Sequence, residues 1–160
     1  MIDDAAREVK QLCTFSVDGL QFAVDVTQVQ EVIRLQEMTP VPLAPRVVTG
    51  LINLRGQIVT ALDLRVRLGL PPRAPGALAA NVVLRLGDAA VSLVVDDIGD
   101  VLEVDQELFE PPPHTLPADT KALIRGVYKL APQLLMLLDT ARVMRIEPPK
   151  NTPKELTWLK

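Results

Sequence analysis

The sequence has few of the side chains from which catalytic and metal sites are built. Its 160 residues include one cysteine, Cys13, and one histidine, His114. A single thiol excludes an internal disulfide, and one thiol with one imidazole excludes a closed structural zinc site. Cys13 lies in an alternating apolar segment, which is typical of a buried, inert thiol, and His114 lies in a proline-rich stretch, which is typical of a solvated side chain.

Motifs for phosphate and calcium are missing as well. No GxxxxGK[ST] motif occurs, and no GxGxxG opens a helix. The carboxylates of Asp96, Asp97 and Asp100 do not have the spacing of an EF-hand loop, and a cap together with a solvated turn accounts for them. We therefore expect a protein that is not an enzyme and that uses no cofactor or metal.

Aromatic residues make up 3% of the chain, and 17 basic and 20 acidic residues are mixed along it, for a net charge of −3. Without a basic stripe or stacking platforms, nucleic-acid binding is disfavoured. Charge-free stretches reach only about ten residues, whereas a bilayer span needs roughly 18. The first residues are polar and acidic, unlike a signal peptide. We expect a cytoplasmic protein that does not insert into a membrane.

What the sequence does contain is a series of short β-rich runs separated by turn signals. Runs over 12–17 and 20–24 flank Asp18-Gly19, a dipeptide that favours a two-residue hairpin turn. Asp25 is a possible N-cap for the segment 26–33. The apolar spacing of that segment fits either a short helix or a turn leading into a strand.

A second hairpin is predicted over 47–54 and 57–62, with Arg55 at its tip. Asp63 is then placed to cap a short helix. The prolines and glycines of 69–80 indicate a linker.

The chain beyond that linker repeats the order of elements before it. A hairpin over 81–86 and 89–95 precedes a proline loop and another hairpin, as in the first half. Five identical residues align between the later hairpins, at 50/126, 54/130, 57/133, 62/138 and 63/139. We also align Val95-Asp96 with Val24-Asp25 and Asp100-Val101-Leu102 with Glu31-Val32-Ile33. The repeat predicts an all-β protein of two similar modules, about 12–70 and 80–146, packed into one unit of small barrels with short helices.

The strip from Gly50 to Arg65 closely resembles the GxxNLRGxIxPxxDLR signature of the CheW family. It departs from the signature at Thr60, where the family has proline, and a small local change is expected there. The resemblance extends over 12–146 and leaves 1–11 and 147–160 as tails.

Membership of that family implies two five-stranded, SH3-like β-barrels packed together and a role without catalysis. The resemblance implies an adaptor that couples the cytoplasmic tip of chemoreceptors, the methyl-accepting chemotaxis proteins, to the regulatory domain of a CheA-type histidine kinase. It implies a monomer when isolated that joins a membrane-associated receptor array. The equivalent adaptor of a non-chemotactic pathway, governing surface motility or development, is the alternative, and the neighbouring receptor and kinase genes would decide between them.

The resemblance also implies roles for particular residues. It assigns receptor binding to Val29, Glu31, Gly50, Asn53, Arg55 and Gly56. It places Cys13, Val26 and again Val29 near the kinase contact.

Overall fold

The computed structural model describes residues 9–34, 37–130 and 132–145. The predicted tail beyond residue 146 and most of the N-terminal one therefore lie outside the described residues. The first strand begins at Val9, three residues before the predicted module.

Eleven strands and three short α-helices make up the described chain. The strands are β1 Val9–Val17, β2 Leu20–Asp25, β3 Val29–Arg34, β4 Val48–Leu54, β5 Gln57–Asp63, β6 Ala80–Leu86, β7 Ala89–Val95, β8 Asp97–Asp105, β9 Phe109–Glu110, β10 Ile124–Leu130 and β11 Gln133–Leu138. The helices are α1 Leu64–Arg67, α2 Ala118–Ala122 and α3 Thr140–Met144. The all-β prediction is confirmed.

Local sequence signals account for most of these elements. Asp18 and Gly19 both have positive φ, at 53° and 77°, as a two-residue hairpin turn requires. Segment 26–33 combines the two predicted alternatives, a short helix and a turn into a strand, because a 3-10 turn at Val26–Gln28 leads directly into β3. Asp63 caps α1 by accepting a hydrogen bond from the Arg65 N–H, at 3.0 Å.

The strands form two sheets, and each sheet contains strands from both halves of the chain. The six-stranded sheet has the order β8-β1-β2-β11-β10-β9, and the five-stranded sheet has the order β3-β6-β7-β5-β4. The opening hairpin of each half therefore joins the later strands of the other half, through the parallel pairs β2·β11 and β7·β5. The modules 12–70 and 80–146 describe the repeat in the sequence, whereas each sheet combines strands of both.

The parallel ladders also correct one part of the repeat alignment. Leu93 lies beside Leu62 in one parallel pair, and Ala23 lies beside Leu137 in the other. Because Leu62 aligns with Leu138, the residue after Leu137, Leu93 is equivalent to the residue after Ala23, at position 24. Asp25 therefore corresponds to position 94 rather than to Asp96, and that match was wrong by two residues. A shift of two keeps the alternation of buried and exposed side chains, so the pattern alone did not exclude it.

The core has three parts. The central part lies between the two opening hairpins, where Phe15 and Phe22 face Leu84 and Leu93. A smaller cluster lies within the six-stranded sheet, and another within the five-stranded sheet. The cluster of the six-stranded sheet consists of Leu12, Ala23, Val104, Tyr128, Leu135 and Leu137. The cluster of the five-stranded sheet consists of Ile52, Leu54, Val59, Ala61, Val83 and Val94. Because the opening hairpins contact core on both faces, each of their strands contains a run of at least three consecutive buried residues.

Candidate binding surface at a hairpin tip

Arg55 occupies the turn between β4 and β5 in a conformation that arginine rarely adopts. Its φ is 53°, and that of Gly56 is 89°. The Gly56 N–H donates to Asn53 Oδ1 at 2.9 Å, which ties the turn to the end of β4. The Arg55 side chain is 86% exposed. Unfavourable backbone conformations cluster at functional sites, so this arginine is a candidate contact residue.

Glu31 lies on the opposite edge of the same sheet and yet approaches this tip. Arg55 Nη2 is 3.7 Å from Glu31 Oε1, and the Glu31 side chain is 20% exposed. Gln30 Nε2 also donates to Gln57 Oε1 at 3.4 Å. Since β3 is one edge strand and the β4–β5 turn follows the other, these contacts show that the five-stranded sheet curls enough to bring β3 to the hairpin tip. We call Gln30, Glu31, Arg55 and Gln57 the Arg55 end.

The remaining predicted receptor-binding residues have different surroundings. Gly50 is buried in β4, and a Cβ there would lie 2.8 Å from the Thr39 carbonyl oxygen. Its contribution to binding is therefore indirect, through the position of the neighbouring loop. Ile58, which was not singled out from the sequence, is 61% exposed and pairs with Asn53 beside the tip. The run of apolar residues in β5 gave no signal that one of them faces solvent.

The residues assigned to the kinase contact lie on β1, on the 3-10 turn and on β3, and they are buried to different degrees. Val26 and Val29 are half-buried at the two sides of the 3-10 turn. Cys13 is 5% exposed in β1, and burial raises the pKa of its thiol. The two valines are thus partly accessible from the surface, whereas Cys13 is not.

A network of charged groups that the sequence did not reveal joins the two sheets. Arg65 donates from Nε and Nη2 to the carboxylate of Asp96, at 3.0 and 2.6 Å, and Arg73 Nε donates to the same carboxylate at 3.1 Å. The Asp18 N–H in the β1–β2 turn adds a fourth hydrogen bond, at 2.7 Å. Asp96 is thus a largely buried member of an ion-pair network, which the cap and solvated turn predicted for Asp96, Asp97 and Asp100 did not include. Arg73 connects the predicted linker to this network.

The network changes the protonation of Asp96. Partial burial acts to raise the pKa of this carboxyl, but the hydrogen bonds from Arg65, the Asp18 N–H and Arg73 outweigh it and lower the pKa to about 2. Asp96 is therefore charged over the whole physiological range, and it holds the β1–β2 turn of one sheet against α1 and β7 of the other.

These features suit binding better than chemistry. Within residues 9–34, 37–130 and 132–145, no three histidine, cysteine or acidic side chains are grouped to hold a metal ion. No helix in that part of the chain is long and apolar enough to cross a membrane. Two packed sheets with an exposed, charged hairpin tip present a surface of the kind that binds other proteins.

The comparisons with known proteins identify the family. Residues 11–147 match the model of the CheW-like domain. The chemotaxis protein CheW of Bacillus subtilis is 31% identical over 135 residues, which cover 84% of this chain and 86% of that protein. The Treponema pallidum chemotaxis protein CheW is 29% identical, covering 81% and 78%. The scaffolding protein CheW from Thermoanaerobacter tengcongensis shares the fold, with a TM-score of 0.79 at 24% identity over 89% of this chain and 97% of that one.

The chain belongs to the CheW family. It is a non-enzymatic chemotaxis scaffold that couples chemoreceptors to the kinase CheA. The sequence resemblance and the predicted fold class are thereby confirmed.

Proposed function

We propose that the Arg55 end binds the cytoplasmic tip of a chemoreceptor, and that a separate surface around Val26 and Val29 binds the regulatory domain of the kinase. In this arrangement the chain acts in the cytoplasm and is recruited to receptor arrays at the membrane. Arg55 and Ile58 make the direct receptor contacts. Glu31, Asn53 and Gly56 hold the tip in position.

The exposed, conformationally strained Arg55 carries the receptor proposal. Asparagine or glycine would adopt its positive φ more readily, so arginine is explained by a contact and not by turn formation. Its pairing with Glu31 is long and solvent-exposed and adds little stability. The guanidinium is therefore available to a partner, with the apolar Ile58 beside it.

The half-buried valines carry the kinase proposal. Val26 and Val29 flank the 3-10 turn, which Asp25 fixes by accepting from the Thr27 N–H at 2.9 Å and from the Thr27 hydroxyl at 2.7 Å. Burial acts to raise the pKa of Asp25, but these bonds and Lys10 lower it overall. A preorganised apolar surface of this kind binds without a large ordering cost.

Receptor binding is tested by pull-down of a receptor tip fragment with the Arg55→Glu variant. Charge reversal at a contact arginine should reduce receptor capture at least about tenfold and leave kinase capture unchanged. Arg125→Glu is the matched control, because Arg125 is an exposed arginine in β10 of the other sheet. Equal loss in both variants, or no loss in Arg55→Glu, would contradict the assignment.

Kinase binding is tested in the same assay with Val26→Asp. A carboxylate placed in this apolar contact should weaken capture of the kinase regulatory domain about tenfold and spare the receptor fragment. Val101→Asp is the control, since Val101 is 57% exposed on the edge strand β8. Unchanged kinase capture by folded Val26→Asp protein would rule out this surface.

A further inference from the structure

The two sheets have equivalent ends. Among the residues that the structure describes, an acidic side chain is paired with a cation at one end, where Arg55 approaches Glu31, and not at the other. Val32 pairs with Val82 just as Val101 pairs with Cys13, so the residues before them, Glu31 and Asp100, occupy equivalent positions. Both positions lie at a β-bulge. Gln30-Glu31 is the bulge of β3, and Gly99-Asp100 is the bulge of β8.

The Asp100 bulge is shaped by Thr14. The Thr14 hydroxyl donates to the Asp100 carbonyl oxygen at 2.6 Å. A Cβ at Gly99 would overlap that hydroxyl, so glycine is required there. In β8 beyond this bulge, alternation places Asp100 on the same strand face as Leu102, which packs against the core of the six-stranded sheet, and the buried Val104.

At this end there is a cavity of about 290 Å³. We call it the Asp100 end; it is lined by Thr14, Gln21, Gly99, Asp100, Leu102, Leu130, Gln133 and Leu135. The leucines form an apolar wall, two glutamines supply amide oxygens, and Asp100 supplies the one ionised group of the lining. Ligand pockets begin at about 300 Å³, so this cavity suits a single long side chain better than a whole small molecule.

In the sequence repeat, the position equivalent to Arg55 is occupied by alanine. The aligned Gln57 and Gln133 place Ala131 at the sequence position of Arg55, and an alanine side chain cannot supply a cation. The segment 96–110 contains seven acidic residues and no lysine or arginine. Within the described residues, no basic group lies within ion-pair distance of Asp100 or Glu103. The charge, the cavity and the free edge of β8 all favour a cationic partner.

We propose that the Asp100 end binds an arginine side chain of a partner protein. This arginine lies beside Asp100 as Arg55 of the chain itself lies beside Glu31 at the other end. The methylene stem packs on Leu102 and Leu130. The planar guanidinium, with its five donors, bonds the Asp100 carboxylate and the amide oxygens of Gln21 and Gln133. The site is distinct from the receptor and kinase surfaces proposed above and does not depend on them.

The experiment uses the full-length protein and an extended, fluorescently labelled heptapeptide of threonine and valine with one central arginine. The matched peptide contains citrulline, which has the same shape without the charge. Binding is followed by fluorescence anisotropy and by amide signals in NMR spectra. The arginine peptide should bind with a Kd of about 1 mM or tighter and shift the signals of Gly99, Asp100 and Gln133, whereas the citrulline peptide should not.

Two variants separate a specific site from general attraction to an acidic surface. Asp100→Asn should weaken binding at least about fivefold, because it removes the carboxylate that faces the cavity. Glu103→Gln removes the same charge from the same strand, but Glu103 alternates to the outer face, so binding should change less than about twofold. Thermal melts of both variants establish that they are folded.

Four results would overturn the proposal. Equal binding of the citrulline peptide would show that charge is not recognised, and equal weakening by both variants would show diffuse attraction. Absence of any shift at the Asp100 end with millimolar arginine peptide would exclude the site. A concentration-dependent shift of the same signals without peptide would identify a second copy of this chain as the occupant and would also overturn binding of a separate partner. Because neither receptor nor kinase is present, each result is independent of their binding.

Discussion

The guanidinium of Arg65 donates a hydrogen bond to each carboxylate oxygen of Asp96, with Nε 3.0 Å from Oδ1 and Nη2 2.6 Å from Oδ2. The two side chains are 13% and 21% exposed. Arg65 follows β5 of the five-stranded sheet, and the Asp96 carboxylate also accepts from the β1–β2 turn of the six-stranded sheet. The pair therefore fixes the two sheets relative to each other.

Replacing Arg65 by alanine should destabilise the protein by about 2 kcal/mol, because Asp96 then retains only part of its hydrogen bonding at a largely buried position. The measurement is urea unfolding at neutral pH. Arg125→Ala, which removes an exposed arginine from β10, should change the free energy of unfolding by less than about 0.5 kcal/mol. Similar values for the two variants would show that the Arg65–Asp96 pair adds no net stability.

Acid should weaken the fold through the same group. The pKa of Asp96 falls from its ordinary value of 3.8 to about 2 on folding. A lowered pKa in the folded state stabilises the protein above the unfolded pKa, and this contribution is lost as the pH falls from about 4 to about 2. The shift corresponds to about 2 kcal/mol. The stability difference between wild type and Asp96→Asn should therefore shrink by about that amount between pH 5 and pH 2; a constant difference would contradict the assignment.

Gly50→Ala should cost about 2 kcal/mol or more, since its Cβ would lie 2.8 Å from the Thr39 carbonyl oxygen. That carbonyl accepts from the Leu51 N–H at 2.8 Å, so a shift would also weaken the bridge between the loop and β4. Chemical denaturation measures the loss. Gly87→Ala, at an open turn with φ of 61°, should cost only about 1 kcal/mol, and an equal loss in the two variants would mean that crowding at Gly50 is unimportant.

Arg55→Asn should stabilise the fold while reducing receptor capture. Asparagine tolerates the φ of 53° better than arginine, so a gain of about 0.5 kcal/mol is expected. Thermal unfolding and the receptor pull-down are measured on the same preparation. Arg125→Asn, at a position in β10 where φ is not positive, should give no gain. A loss of stability in Arg55→Asn would indicate that the Glu31 contact matters more than the backbone strain.

Local features were predictable from the sequence because neighbouring residues determine them. Asp18-Gly19 requires a tight turn, and Asp63 precedes a helix that it can cap, so the hairpins and α1 followed directly. The signature around Arg55 placed that residue at a turn. Its pairing with Glu31 across the sheet edges could not be derived, because it depends on how far the sheet curls.

The sequence pattern did not predict the order of the strands in the two sheets. Alternating burial specifies which side chains share a face but not which strand lies next to β2, so the partner β11 was not predictable. The same limit applies to Asp96, whose partners Arg65 and Arg73 lie 31 and 23 residues away in the sequence. Contacts of that range become visible only when the topology is known.

The exchange of opening hairpins between the halves has a consequence for the origin of the chain. A single half-length polypeptide would lack the hairpin that completes its own sheet, and two identical copies could complete each other only by trading β1–β2 for β6–β7. The present chain thus corresponds to a hairpin-swapped homodimer whose two subunits were joined end to end. In such an arrangement the two halves need not stay identical, and positions 55 and 131, which align in the sequence repeat, differ as arginine and alanine.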